Sequence, residues 1–173
     1  MTERIAVYPG SFDPIHNGHV DIIKRCRPIF DRVVVAVLCN VEKNPLFTIE
    51  ERVEMISEVL RDYEDCRVEA FSGLLVHFMD KVGARTTVRG LRAVSDFEAE
   101  FQMALMNRRL DRRMETVFLT PKEEYSYLSS RLVKEVYLLG GELDGLVPVP
   151  VVERLKSRIR EAFPVDSTWA TAG

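Results

Sequence analysis

Two of the three histidines in this 173-residue chain, His16 and His19, stand three positions apart in the run PGSFDPIHNGH. On an opening helical turn that spacing puts both imidazoles on one side, and Gly18 removes the side chain between them. A zinc site needs a third and usually a fourth ligand. The third histidine, His77, lies in an apolar helical stretch, and Cys26, Cys39 and Cys66 follow no ligand spacing. No metal-ligand set is therefore predicted. Two imidazoles at a helix N-terminus suit hydrogen-bond donation to phosphoryl oxygens; each taken singly reads equally as a polar cap.

Other residues point to the same chemistry. Gly10 permits close approach of a ligand and Ser11 adds a hydroxyl, in a loop whose backbone N–H groups can face an anion. Lys43 sits in a loop where a flexible ammonium reaches a phosphate, although alone it reads as surface charge. Arg89 and Arg92 flank Gly90 past a short strand, placed either to clamp a phosphate or to pair with Asp96 or Glu98. Ser126, Ser129 and Ser130 crowd one helix entrance, where plain capping needs only one of them, so an anion nest is predicted. The dinucleotide fingerprint and the P-loop are both missing. No nucleophile elbow occurs, and no cysteine stands beside a histidine. Many donors without a nucleophile describe a site that stabilises charge on a phosphoryl group while two substrates react directly.

The elements that must hold these residues alternate in type. Strands are predicted over residues 4–8, 32–39, 67–71, 86–89 and 115–119, the first stopping at Pro9. Helices are predicted from about Val20 to Phe30, from Thr48 (N-cap, with Glu51 completing a capping box) to about Tyr63, and from a Ser72 cap to Gly83. Three more follow: from Ser95 and Glu98 to about Leu110, from Ser129, and over 150–163. The pattern predicts a single-domain α/β Rossmann-like fold with a five-stranded parallel sheet and helices on both faces. The domain is expected over 1–163, with 164–173 as a frayed tail. Function is expected at the strands' carboxyl ends. Lys and Arg number 24 against 27 Asp and Glu, a formal net charge of -3. That sign argues against a nucleic-acid partner, yet residues 85–113 hold seven arginines against four acids. No apolar run approaches a membrane span. With no readable leader and an odd cysteine count, the cytoplasm is the expected compartment.

The blocks GSFDPIHNGH, NPLFTIEERVEMI, VRGLRAVSDFEAEFQMALMNRRL, VFLTPKEEYSYLSSRLVKEV and GLVP resemble, in order, those of the bacterial phosphopantetheine adenylyltransferases, from Ile5 to about Leu155. The first block marks the wider nucleotidyltransferase superfamily and the others the enzyme. The resemblance implies transfer of the adenylyl group of ATP to 4'-phosphopantetheine, giving 3'-dephospho-coenzyme A and pyrophosphate, with Mg2+. It implies His19, Lys43 and Arg92 as catalytic groups. Ser11, Phe12, Gly90, Leu91, Arg92 and Glu100 match the nucleotide site, with Tyr125, Ser126, Tyr127, Leu128, Ser129, Ser130 and Arg131. Ser11, Lys43, Leu75 and Arg89 match positions that hold phosphopantetheine. A homohexamer built as a dimer of trimers and feedback inhibition by coenzyme A are implied as well.

Three positions depart from the family pattern. His16 stands where threonine is frequent, Ser11 keeps the hydroxyl of a frequent threonine, and Arg131 replaces the third serine of a serine run. The rival readings are a transferase of the same superfamily with another phosphorylated acceptor, such as nicotinate mononucleotide or a glycerol phosphate, and a nucleotide-binding protein without turnover. The first should lack RGLRAVSDFE; the second should bind ATP and release no pyrophosphate.

Overall fold

The computed structural model of the protein describes residues 3–39, 45–92 and 94–162. Five parallel strands form one sheet: β1 (Ile5–Gly10), β2 (Arg32–Leu38), β3 (Cys66–Phe71), β4 (Thr86–Gly90) and β5 (Glu115–Leu119), in spatial order β3-β2-β1-β4-β5. The intervening helices are α1 (Asn17–Cys26), α2 (Ile49–Val59), α3 (Leu75–Val82), α4 (Val94–Leu110), α5 (Ser130–Leu138) and α6 (Val149–Ala162).

Strand alternation divides the core in two. Ala6 and Tyr8, with Val33, Val35 and Val37, face a cluster completed by α1, α2, α5 and α6. Val7, Val34 and Ala36 face the other side, against Phe71, Val76, Phe78 and Met79. A sheet covered on both faces explains why β2 reads as a continuous apolar run.

Three starts differ from the sequence pattern: α1 opens at Asn17, ahead of the expected Val20, and two expected caps are not used. Ser72 does not cap α3, whose N-cap is Leu74 without a side-chain bond. Helix α4 begins at Val94, which places Ser95 inside it. By contrast, Thr48 and Glu51 form the expected capping box, with Thr48 N–H donating to Glu51 Oε2 at 2.7 Å and Glu51 N–H to Thr48 Oγ1 at 3.3 Å.

The opening between β1 and β4 has a visible cause. Strand β1 continues through Pro9 to Gly10 and pairs with β2 along its whole length, up to Gly10↔Val37. Against β4 it pairs only at Ala6↔Thr86 and Val7↔Thr87. Beyond that point the strands part, and Pro9 has no N–H to offer. Helical connections leave β1 and β4 in opposite directions along the sheet, so this gap is the topological switch point where α/β sheets receive ligands.

Candidate active site

A cleft of about 400 Å³ occupies that gap. It gathers Ser11, Phe12, His16 and His19 from the first loop and helix, and Arg89, Gly90, Arg92 and Glu100 from β4 and α4. Tyr125, Ser129 and Ser130 reach it from the segment leading into α5. Tyr8, Ile22, Ala99 and Pro121 also line it and were not singled out by sequence. Tyr8 and Ile22 read there as core positions, and they do belong to the core at 5% and 2% exposure. Only their edges reach the cleft.

Gly10 lines the cleft and also makes room for a neighbouring ring. A Cβ there would stand 2.9 Å from Phe12 Cζ. The glycine makes room for the protein's own ring before any ligand arrives. Phe12 takes φ 49°, a left-handed conformation that costs a bulky residue on the order of 1–3 kcal/mol. Its ring is buried, so what it can offer a nucleotide is its backbone.

The two histidines stack, with ring centroids 3.6 Å apart. The His16 backbone N–H donates to His19 Nδ1 at 3.2 Å, which puts the His19 ring proton on Nε2. Burial, then the neighbouring Arg92, lowers the His16 pKa to about 3. Burial, followed by His16, Arg92 and Arg89, holds His19 well below its ordinary value. At neutral pH both rings are uncharged. His19 therefore serves as a neutral donor through Nε2–H, while the cleft's positive charge comes from arginine. The His16 Nδ1 is buried without a partner among the described residues.

Arg89 is not the free clamp that the sequence allowed: it pairs with Glu100. Its Nε donates to Glu100 Oε2 at 2.6 Å and its Nη2 to Glu100 Oε1 at 2.5 Å, while Nη1 reaches Pro9 O at 2.6 Å. Burial works against the Arg89 charge, but Glu100 more than offsets it and the guanidinium pKa is raised. Arg92 Nη1 donates to Leu128 O at 2.5 Å.

The hydroxyls of the serine cluster have partners within the protein. Ser126 Oγ donates to Glu123 O at 2.8 Å and Ser130 Oγ to Pro14 O at 2.8 Å, while Ser129 Oγ accepts the Leu132 N–H at 3.1 Å as the α5 N-cap. The three hydroxyls are engaged in building the entrance. Leu91, Ser126, Tyr127, Leu128 and Arg131 are not among the residues lining the cleft. Leu128 is fully buried and Tyr127 is 60% exposed. Lys43 lies outside the described residues.

Two buried charged residues that sequence reasoning missed fasten the first loop. Asp13, 2% exposed, accepts from Leu46 N–H at 3.0 Å, Phe47 N–H at 2.9 Å and Lys134 Nζ at 2.8 Å. Arg52, 3% exposed, donates Nη1 to Ser11 O at 2.8 Å and Nε to Thr48 O at 3.3 Å. A charged residue inside the amphipathic TIEER helix was the available signal.

A second cavity of about 250 Å³ lies beyond Arg89 and Glu100, which line both spaces. Its wall is mostly apolar, with Leu38, Phe71, Leu74, Leu75 and Met103, and Thr87, Asn107 and Thr116 add polar groups. Leu75, expected at the phosphopantetheine site, is here and not in the polar cleft. No group of metal-ligating side chains occurs among the described residues. Burial pushes the Cys26 thiol up to about 12 and the Cys66 thiol up to about 11, so neither is an available thiolate nucleophile.

A phosphopantetheine adenylyltransferase of Syntrophotalea carbinolica is 51% identical over 96% of this chain and 100% of its own. One from Heliobacterium modesticaldum is 55% identical over 89% of this chain and 92% of its own. The chain belongs to the phosphopantetheine adenylyltransferase family. It is a nucleotidyltransferase, and the cytidylyltransferase-like family profile matches residues 7–136. The fold agrees. A bifunctional NMN adenylyltransferase/ADP ribose pyrophosphatase from Francisella tularensis superposes with TM-score 0.70 at 14% identity, over 91% of this chain and 50% of that one. A Vibrio parahaemolyticus structure superposes with TM-score 0.65 at 14% identity, over 92% of this chain and 93% of that one.

Proposed function

We propose that the protein transfers the adenylyl group of ATP to 4'-phosphopantetheine, releasing pyrophosphate and forming 3'-dephospho-coenzyme A. One observation carries the assignment of sites: a polar cleft at the switch point adjoins an apolar cavity, with Arg89 and Glu100 in the wall they share. The cleft suits the phosphates of ATP, and the cavity suits the pantetheine arm.

The acceptor brings its own nucleophile, a phosphate already ionised at neutral pH. An acceptor oxygen attacks the α-phosphorus in line, the P–O bond to pyrophosphate breaks, and no general base is required. The protein aligns two anions and stabilises the charge between them. His19 donates from Nε2 to an α-phosphoryl oxygen, and Arg92 with Lys43 offsets the negative charge. Ser11 serves both substrates. Phe12, Gly90, Leu91, Glu100 and residues 125–131 form the nucleotide side; Lys43, Leu75 and Arg89 hold phosphopantetheine. For residues outside the walls of the cleft and the cavity, support rests on the family resemblance alone.

Glu100 is the carboxylate lining the described cleft, and Arg89 holds it. Mg2+ would accordingly enter on the phosphates of ATP, as it commonly does, and supply charge neutralisation there. Inhibition by coenzyme A follows chemically, because that molecule carries both an adenylate and the pantetheine arm. A hexamer is supported by apolar surface on α4, where Phe97, Phe101, Met103, Leu105, Met106 and Leu110 are all at least 44% exposed, more than a lone monomer usually shows on one helix. No helix among the described residues is long and apolar enough to cross a membrane, which accords with a cytoplasmic enzyme.

A pyrophosphate-release assay across acceptors tests this reading. Release is expected with ATP and 4'-phosphopantetheine and not with nicotinate mononucleotide; turnover with the latter alone would replace it. Mass measurement in solution tests the hexamer.

A further inference from the structure

The peptide between Ser11 and Phe12 is held from one side. Its carbonyl accepts from Arg52 Nη1 at 2.8 Å, and Arg52 lies in α2, 3% exposed and outside the cleft wall. A planar trans peptide carries its N–H opposite its carbonyl. With the carbonyl turned inward, the Phe12 N–H is turned outward, to the side on which Ser11 and Phe12 line the cleft. Among the described residues this N–H meets no acceptor, although Phe12 is only 1% exposed. Buried backbone donors are seldom left in that state. The left-handed φ of 49° at Phe12 accompanies this arrangement, with the ring folded back over Gly10.

Arg52 is itself uncommon. It is a buried cation whose partners among the described residues are two main-chain carbonyls, those of Ser11 and Thr48. No carboxylate among the described residues lies within ion-pair distance of it. Burying a guanidinium without a carboxylate is costly, so packing alone does not account for an arginine here. One side chain ties the α2 N-cap to the loop that faces the nucleotide.

We propose that Arg52 is a positioning residue, holding the Ser11–Phe12 peptide so that the Phe12 N–H is a preset donor to a phosphoryl oxygen. The proposal rests on the reading of the cleft as the phosphoryl-transfer site.

The test compares Arg52→Met, Arg52→Lys and an amide-to-ester replacement at position 12, made by incorporating phenyllactic acid, which deletes the N–H and keeps the ring. The ester should lower kcat about 100-fold, the usual effect of losing one preorganised donor. Arg52→Met should come close to that with little change in the KM for ATP. The two together should cost little more than either alone, because they remove one contact. Arg52→Lys should fall between wild type and Arg52→Met. If Arg52→Met does not fold by circular dichroism, Arg52→Lys and the ester carry the comparison. An ester that slows turnover beside folded Arg52 variants with wild-type kcat would overturn the proposal and leave the cleft reading standing. If the ester and His19→Ala both leave kcat unchanged, the cleft reading fails and the proposal with it.

Discussion

The two cavities meet at one ion pair and differ in almost everything else. The switch-point cleft is built from main chain, neutral imidazoles and arginines already bonded to the protein. The neighbouring cavity is walled mainly by leucine, phenylalanine and methionine, with Thr87, Asn107 and Thr116 among them. Polar groups that must act on a transition state need fixed orientation, because a donor that reorganises during the reaction loses its advantage. An apolar wall needs only shape. On the proposed reading, residues on the cleft side would govern turnover and those on the cavity side acceptor affinity, with Arg89 coupled to both.

Substitution can break that division. The largest effect should come from His19→Ala, expected to lower kcat by about 100-fold or more with modest change in ATP affinity, since its contact strengthens in the transition state. Single-turnover kinetics checks this, and near wild-type kcat would remove His19 from the chemistry. Arg89→Ala should rank next. It deletes the proposed phosphate partner and leaves Glu100 facing the cavity without its cation, so phosphopantetheine affinity measured by calorimetry should fall about 30-fold. Leu75→Ala should raise the KM for phosphopantetheine roughly 10-fold and leave that for ATP alone, in keeping with the loss of a few buried methyl groups. A larger effect on ATP would merge the two regions into one.

The smallest effect separates neutral imidazoles from charged ones. His16 titrates at about 3 in the folded chain, against about 6.5 unfolded, and His19 is shifted in the same direction. Between those values the unfolded state binds more protons, so stability is complete above about pH 6.5 and declines as the pH falls toward 3. Lowering the pH from 7 to 6 should cost about 1 kcal/mol for the pair. Urea midpoints at the two pH values measure it, and a flat profile would mean that the rings take up protons in the native state as they do in the unfolded chain.

Much of the fold was legible because its signals are local. The β-branched run of β2 announced a doubly covered strand, and Thr48 with Glu51 announced the start of α2. Ser72 and Ser95 misled because hydroxyl residues near a helix start propose caps that the chain need not use. At the site, His16, His19, Arg89 and Arg92 were visible as residues, and tertiary context then changed what some of them do. The distance from Arg89 to Glu100 is set by the packing of α4 against β5 and α3, and sequence spacing does not report it. Gly10 reads as a ligand-facing glycine and lines the cleft, but its contact with the Phe12 ring comes from the fold and not from the spacing. Arg52 was hidden for the same reason: a charged residue on an amphipathic helix looks solvated until its burial is known.

In the proposed mechanism the polar cleft performs adenylyl transfer by fixed donors while the apolar cavity selects the acceptor. Pyrophosphate release measured with ATP and either phosphopantetheine or a short phosphorylated alcohol lacking the arm tests it most directly. Turnover is expected with the first, and with the second a much higher KM that Leu75→Ala no longer raises. Equal KM values for the two acceptors in the wild-type protein would contradict that mechanism.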